Sequence, residues 1–250
     1  MVLSTLDDAM PAPKYSLEVQ EKKIIDAAEK CIGESTIMDF AMSTLAKEAG
    51  MSMGTVYKHI QTKEDVLLAL AVRNLNALRE TIEKTLALPL TTPERMIAVF
   101  MFSPEKTGMY NFAAQLQLMV SNEAVIARSS PRWVERTTRL GARLDQLFYD
   151  AFYEACDSGE LKVSDEDREY IVEQMQIALS SLHSGFVQVS MLRAVRLRLL
   201  DDDRLATPPA SMDHLIESAK RIMNTYPWKK PLTQHGVEKT KALLEKAGLR

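Results

Sequence analysis

Along almost the whole of this chain, apolar residues recur at helical spacing, and no stretch alternates apolar and polar over the length of a strand. A period near 3.6 lets side chains be buried only by packing helix on helix. Between Leu17 and Ile32, the residues Ile24, Ile25, Ala28, Cys31 and Ile32 fall on one face, with Glu and Lys on the other. Leu140, Leu144, Leu147, Phe148, Ala151 and Ala155 form a second such face. Ile171, Met175, Ala178, Leu182 and Val189 form a third, and Met212, Leu215, Ile216, Ala219, Ile222 and Met223 a fourth. Glycine supplies only 9 of 250 residues, too few for a turn-rich β-sandwich. An all-α chain follows, long enough for one large domain or two smaller ones.

Start and stop residues divide this pattern. Gly33 is expected to cap the first helix, and Gly50 to close a short one over 41–49. Ser52 caps the next, 53–60, and Thr62 begins another that runs from Lys63 to about Leu88, where Pro89 stops it. Thr92-Pro93-Glu94 and Ser103-Pro104-Glu105 repeat the start signal. Further helices are expected at 93–102, 105–121, 131–157, 165–199, 211–226 and 236–247. Residues 1–15 read as a flexible arm. The acidic run Asp201-Asp202-Asp203 with Pro208-Pro209 reads as a loop.

Several function classes are disfavoured. No apolar run approaches the roughly 18 residues of a membrane helix. The N-terminal segment is acidic and lacks an apolar signal core, and two cysteines build no disulfide framework, so a cytoplasmic protein without a membrane partner is expected. No nucleophile elbow, Gly-rich phosphate loop, HExxH or CxxC motif occurs, so the chain does not read as an enzyme, and no cofactor is expected. His214 and His235 lack Cys or carboxylate at ligand spacing, so no metal is expected either. The formal net charge is −3, and nucleic-acid binding would need a local patch.

Such a patch lies between Ala41 and Lys63. Two short helices joined by Ala49-Gly50-Met51-Ser52 make a helix-turn-helix, whose second helix enters a DNA major groove. At about 100° per residue, Val56 and Ile60 lie within about 40° of each other and should pack inward on Ile24, Ala28 and Leu45. Gly54, Thr55, Lys58 and His59 are read as the opposite arc, with Tyr57 at its flank. Lys58 and Lys63 bring positive charge, and no Asp or Glu falls between Met51 and Thr62. The hydroxyls of Thr55 and Tyr57 and a His59 nitrogen suit phosphate oxygens or base edges. Gly54, without a side chain, lets backbone N–H groups approach a phosphate. Residues 14–63 hold seven lysines and seven acids, which implies moderate, salt-sensitive affinity and a need for dimerisation.

The run from Ala46 through Gly50, Gly54, Thr55, Val56, Tyr57, His59 and Ile60, then Thr62-Lys63-Glu64-Asp65, resembles the DNA-binding domain of the TetR (tetracycline-repressor-like) family of bacterial regulators. The likeness spans roughly residues 17–75. Ile60 stands where the family usually has an aromatic residue. Ala41-Met42 replaces threonines, leaving Ser43 or Thr44 to offer a hydroxyl, and Met53 sits where a base-reading side chain is common. The resemblance implies an all-helical chain, with a three-helix DNA-binding domain at 16–76, an effector-binding and dimerisation domain at 77–226 and an extension at 227–250. It also implies a transcriptional regulator, more often a repressor, that binds a palindromic operator as a homodimer. DNA-contact candidates are Ser43, Thr44, Ser52, Met53, Gly54, Thr55, Tyr57, Lys58, His59 and Lys63.

Effector binding is expected among helices 93–186. Candidate lining residues are Met101, Phe112, Leu116, Met119, Phe148, Phe152, Met175, Leu179 and His183, which suit a lipophilic or amphipathic small molecule. Helices 165–190 and 211–226 would pair with their symmetry mates, and helix 63–88 would act as the lever between domains. The alternative is a helical protein-interaction module without DNA binding, which predicts no salt-dependent duplex affinity.

Overall fold

A computed structural model describes residues 15–199 and 211–250; the expected arm before Tyr15 and the expected loop at 201–209 lie outside the described residues. Twelve α-helices and one 3-10 turn, with no strand, make up the described residues, and the chain divides into two compact units.

The first unit holds the residues up to Leu70 together with Met119–Val134. In it α1 (Leu17–Glu34) starts at Ser16, whose Oγ accepts from the Val19 amide, and buries Ile24, Ile25, Ala28, Cys31 and Ile32. Then come α2 (Met42–Glu48) and α3 (Met53–His59). Ile24, Ala28, Leu45, Val56 and Ile60 are wholly buried, and the four larger aliphatic side chains among them each contribute about 1.5–3 kcal/mol. Lys30 of α1 holds Glu48 of α2 at 2.7 Å. The long helix α4 (Lys63–Leu86) begins here, with Thr62 Oγ1 accepting from the Asp65 amide.

The same unit takes in a distant segment. A short helix, Glu123–Arg128, and the first turn of Pro131–Asp157 pack with α1–α3. Trp133 is wholly buried, and its indole N–H donates to the His59 carbonyl at 3.0 Å. Asp65, also wholly buried, accepts from the Gln61 amide at 2.8 Å and from the Ser130 amide at 2.6 Å. A buried carboxylate is tolerated because its oxygens meet backbone donors.

The second unit holds Ala71–Leu118 and Glu135–Arg250. After the rest of α4 come α5 (Thr92–Ala98), a 3-10 turn (Val99–Met101), α6 (Pro104–Thr107) and α7 (Ala113–Val120). Glu123–Arg128 is α8, and Pro131–Asp157, Arg168–Leu199, Met212–Met223 and Gln234–Lys246 are α9 to α12. The core joins Met96 and Ile97 to Phe152, Val172, Met175, Leu215, Met223 and Leu244.

Residues 227–250 fold into that core. Trp228, Leu232, Val237, Leu244 and Leu249 are buried, and the Trp228 indole donates to the Met223 carbonyl at 2.8 Å. Lys239 of α12 pairs with Glu94 of α5 at 2.9 Å. Gly236 allows this approach, since a Cβ there would come within 3.0 Å of the Glu94 carboxylate.

Three local expectations need correction. Gly33 does not cap α1: the helix runs on through Glu34 and closes at Ser35, whose amide and hydroxyl donate to the Cys31 carbonyl. The helix expected at 105–121 is two helices, because Gly108 takes a left-handed φ of +71° and ends α6 after Thr107. The cap of α5 is Thr91, which forms a capping box with Glu94, and not Thr92. Thr92 gives its amide and hydroxyl to Glu160 instead, at 2.9 and 2.7 Å.

Candidate functional site

The turn between α2 and α3 is set by Gly50, at a φ of +65° that side chains disfavour. Its amide donates to the Lys47 carbonyl, and the Met51 amide to that of Ala46, closing α2. Ser52 then caps α3: its Oγ accepts from the Thr55 amide at 3.1 Å and lies 2.9 Å from the Thr55 hydroxyl. Val56 and Ile60 point into the core, which fixes the face that α3 turns outward.

On that outward face Ser52, Gly54, Tyr57 and Lys58 are exposed, and Met53 and Thr55 half-buried. Ser43 and Thr44 on α2 are open to solvent in part or in full, and Lys63 at the start of α4 is exposed. These nine candidates lie in the helix-turn-helix and its flank, and each keeps some surface open.

His59 does not join them. It is 5% exposed, and its Nε2 lies 3.1 Å from Gln20 Oε1. The Gln20 amide nitrogen donates to the Tyr15 carbonyl at 2.7 Å, which leaves its oxygen facing the histidine, so Nε2 carries the proton and donates. Burial pushes the His59 pKa down, favouring the neutral ring. At about 100° per residue, His59 lies only about 60° from Val56, on the inner flank of the helix. Its assignment to the DNA face is therefore corrected: the imidazole ties α3 to α1. Gln20 and Trp133, which hold α3 in place through His59, are not among the residues that the sequence singles out. Asp65 carries a capping signal, but nothing local to Trp133 points to a partner seventy-four residues away.

A cavity of about 250 Å³ opens in the second unit. Leu75, Leu78 and Ile82 of α4 form one wall, and Met96, Val99 and Phe100 another. Gly141, Leu144, Asp145 and Phe148 come from α9, and Gln176, Leu179, Ser180 and His183 from α10. The His183 ring stacks on Phe100, centroids 5.9 Å apart, and burial lowers its pKa. Of the candidate lining residues, Phe148, Leu179 and His183 lie on the wall. Met101, Phe152 and Met175 do not: they fill the core behind it. Phe112 stacks on Tyr110, and Leu116 is buried elsewhere, both beyond the break at Gly108. Met119 belongs to the other unit. Among the described residues no cluster of His, Cys, Asp or Glu is placed to hold a metal ion, and no helix is long and apolar enough to cross a membrane.

A buried helix pair, a glycine turn and an exposed, lysine-bearing second helix form a helix-turn-helix, the arrangement that suits a second helix to a DNA major groove. Residues 24–70 match the family described as bacterial regulatory proteins, tetR family. The chain is 33% identical over 114 residues to the fatty acid metabolism regulator protein of Bacillus subtilis (strain 168), covering 44% of this chain and 55% of that protein. It is 30% identical over 92 residues to the HTH-type transcriptional regulator BetI of Rhizobium meliloti (strain 1021), covering 36% and 45%. The chain thus spans about half the length of these curated relatives. Among solved structures, FadR from Bacillus subtilis in complex with stearoyl-CoA shares the fold at a TM-score of 0.51 and 18% identity, over 79% of this chain and 96% of that one. A transcriptional regulator from Saccharomonospora viridis in complex with choline gives 0.55 and 16%, over 84% and 98%. Residues 24–70 thus resemble the tetR family of bacterial regulatory proteins, and the helical fold is shared with solved transcriptional regulators.

Proposed function

We propose that this protein is a cytoplasmic, homodimeric transcriptional repressor that binds a palindromic DNA operator and responds to a small apolar or amphipathic molecule. The observation that carries this reading is the coincidence of the family match with an outward α3 face that bears Lys58, Tyr57 and Thr55 and no acid. Lys58 and Lys63 would neutralise phosphates, while Thr55 and Met53 meet base edges. Dimerisation is supported by α10 and α11. Ile177, Val189, Leu192 and Val195 are exposed, and Leu182, Phe186, Val189 and Leu215 line a groove between the two helices. So much apolar surface on one side suits a second copy.

The cavity is the candidate effector site. FadR from Bacillus subtilis was solved with stearoyl-CoA and the Saccharomonospora viridis regulator with choline, so both an acyl and an ammonium ligand have precedents on this fold. Leu75, Leu78 and Ile82 on the cavity wall share α4 with Asp65 in the first unit, so displacement of that wall can act on one continuous helix. A coupling of about 1–3 kcal/mol changes operator affinity roughly 5–150-fold.

The test is selection of a duplex by the purified protein, followed by a mobility-shift titration at several salt concentrations. A palindromic consensus bound by two chains, with affinity that falls steeply with salt, is the expected result. No enrichment over random duplex, or a monomer by light scattering at micromolar concentration, defeats the reading.

A further inference from the structure

The charge on the cavity wall is one-sided. Aliphatic and aromatic side chains make most of the surface, and among the described residues no Lys or Arg lies on it. The neutral polar groups are the Gln176 amide and the Ser180 hydroxyl. His183 stays uncharged at neutral pH because burial lowers its pKa. That leaves Asp145 as the one ionised group of the wall among the described residues.

Asp145 lacks a counter-charge. Gln176 Nε2 reaches its Oδ1 at 3.5 Å, the edge of hydrogen-bond range, and among the described residues no cation pairs with it. Gln176 is buried while Asp145 keeps exposed surface, so the carboxylate stands at the mouth of the cavity, and the apolar floor lies toward Ile82, Met96 and Phe100. Its apolar surroundings push the Asp145 pKa up, the mark of a carboxylate short of a proton or a cation.

Resting on the reading of this cavity as the effector site, we infer that it takes an aliphatic amine: a hydrocarbon tail against the floor, and a protonated nitrogen donating to Asp145 at the mouth. The ammonium supplies the positive charge that the fold withholds, and the tail fills a volume just below the common range of about 300–1,000 Å³ for ligand pockets. A carboxylate or phosphate head would meet a like charge with no cation on the wall to offset it. The cavity thereby selects against the free acid of the same chain length, and against its coenzyme A thioester through the phosphates of the carrier.

Calorimetric titration of the full chain with decylamine, decanol, decanoate and decanoyl-CoA, each below its micelle concentration, reads this selection directly. Decylamine is expected to bind at least tenfold more tightly than decanoate, with decanol between them. Asp145→Asn should bring decylamine to the affinity of decanol and leave decanol unchanged, which also certifies the fold. Asp145→Lys should turn the preference toward decanoate. A Cβ at Gly141 meets nothing within 4 Å, so Gly141→Leu is accommodated and should block every probe by occupying the cavity. Decanoate or decanoyl-CoA binding as tightly as the amine, or an amine preference that survives Asp145→Asn, overturns the inference and leaves the cavity reading standing. If no probe binds, or Gly141→Leu leaves binding intact, the cavity reading falls with it.

Discussion

His59 and Lys58 are neighbours with opposite fates: one side chain is 5% exposed, the other open to solvent. Lys58→Ala should weaken operator binding about evenly across operator variants and lower the salt slope by about one per subunit. A slope unchanged in mobility-shift titrations would remove Lys58 from the phosphate contacts. His59→Gln should instead cost about 1–3 kcal/mol of stability through the lost contact with Gln20, read by urea unfolding, and leave the affinity of the folded protein nearly unaltered. The pH dependence has a definite sign. Burial depresses the pKa of His59 and of His183, so the unfolded chain binds more protons below its ordinary value of about 6.5. Their neutral forms stabilise the fold above that pH, and the contribution is lost as pH falls through the folded values. Unfolding free energies measured between pH 7.5 and 5 should fall toward acid, less steeply in His59→Gln. The sequence carries the means to place this ring: with Val56 inward, a residue three positions on cannot lie opposite. What it does not show is Gln20, thirty-nine positions earlier, whose amide oxygen accepts the hydrogen bond.

Helix ends are the most legible elements. Ser52, Thr62 and Gly50 act where their chemistry predicts, because a cap or a left-handed turn is a local matter of a few backbone groups. Gly50→Ala should cost about 1–2 kcal/mol, since any Cβ at a φ of +65° meets the following carbonyl. A melting temperature within a degree of the parent would show that the turn relaxes freely. Where two signals compete, the local reading fails. Thr91 and Thr92 both precede Glu94, and only the distant carboxylate of Glu160 decides which hydroxyl caps the helix. Gly108 likewise sits within an apolar pattern that continues past it, and its positive φ breaks the helix all the same.

At the scale of the molecule, periodicity reveals which face of a helix is buried but not what it is buried against. The cavity takes residues from Leu75 to His183, spread over several elements, and so only Phe148, Leu179 and His183 of its wall are legible beforehand. Met175 and Phe152 carry the same apolar signature yet fill the core behind it. The C-terminal stretch shows the same gap between pattern and partner. A chain ending at Pro227 would lose Trp228, Leu232, Val237, Leu244 and Leu249, each contributing about 1.5–3 kcal/mol, against a whole-domain stability of about 5–15 kcal/mol. Such a chain should lose the cooperative thermal transition of the second unit in scanning calorimetry. A retained transition would mean that the extension merely decorates a core already complete.

The two thiols are both withdrawn from solvent chemistry. Cys31 is buried in the first unit and Cys156 half-buried in the second, and burial raises both pKa values, so little thiolate exists at neutral pH. Maleimide dyes should therefore pass over them in the native protein. A lone cysteine introduced at the exposed Thr44 would take the label by itself, and the natural sequence would already be the quiet background for single-molecule spectroscopy of the first unit with and without duplex DNA.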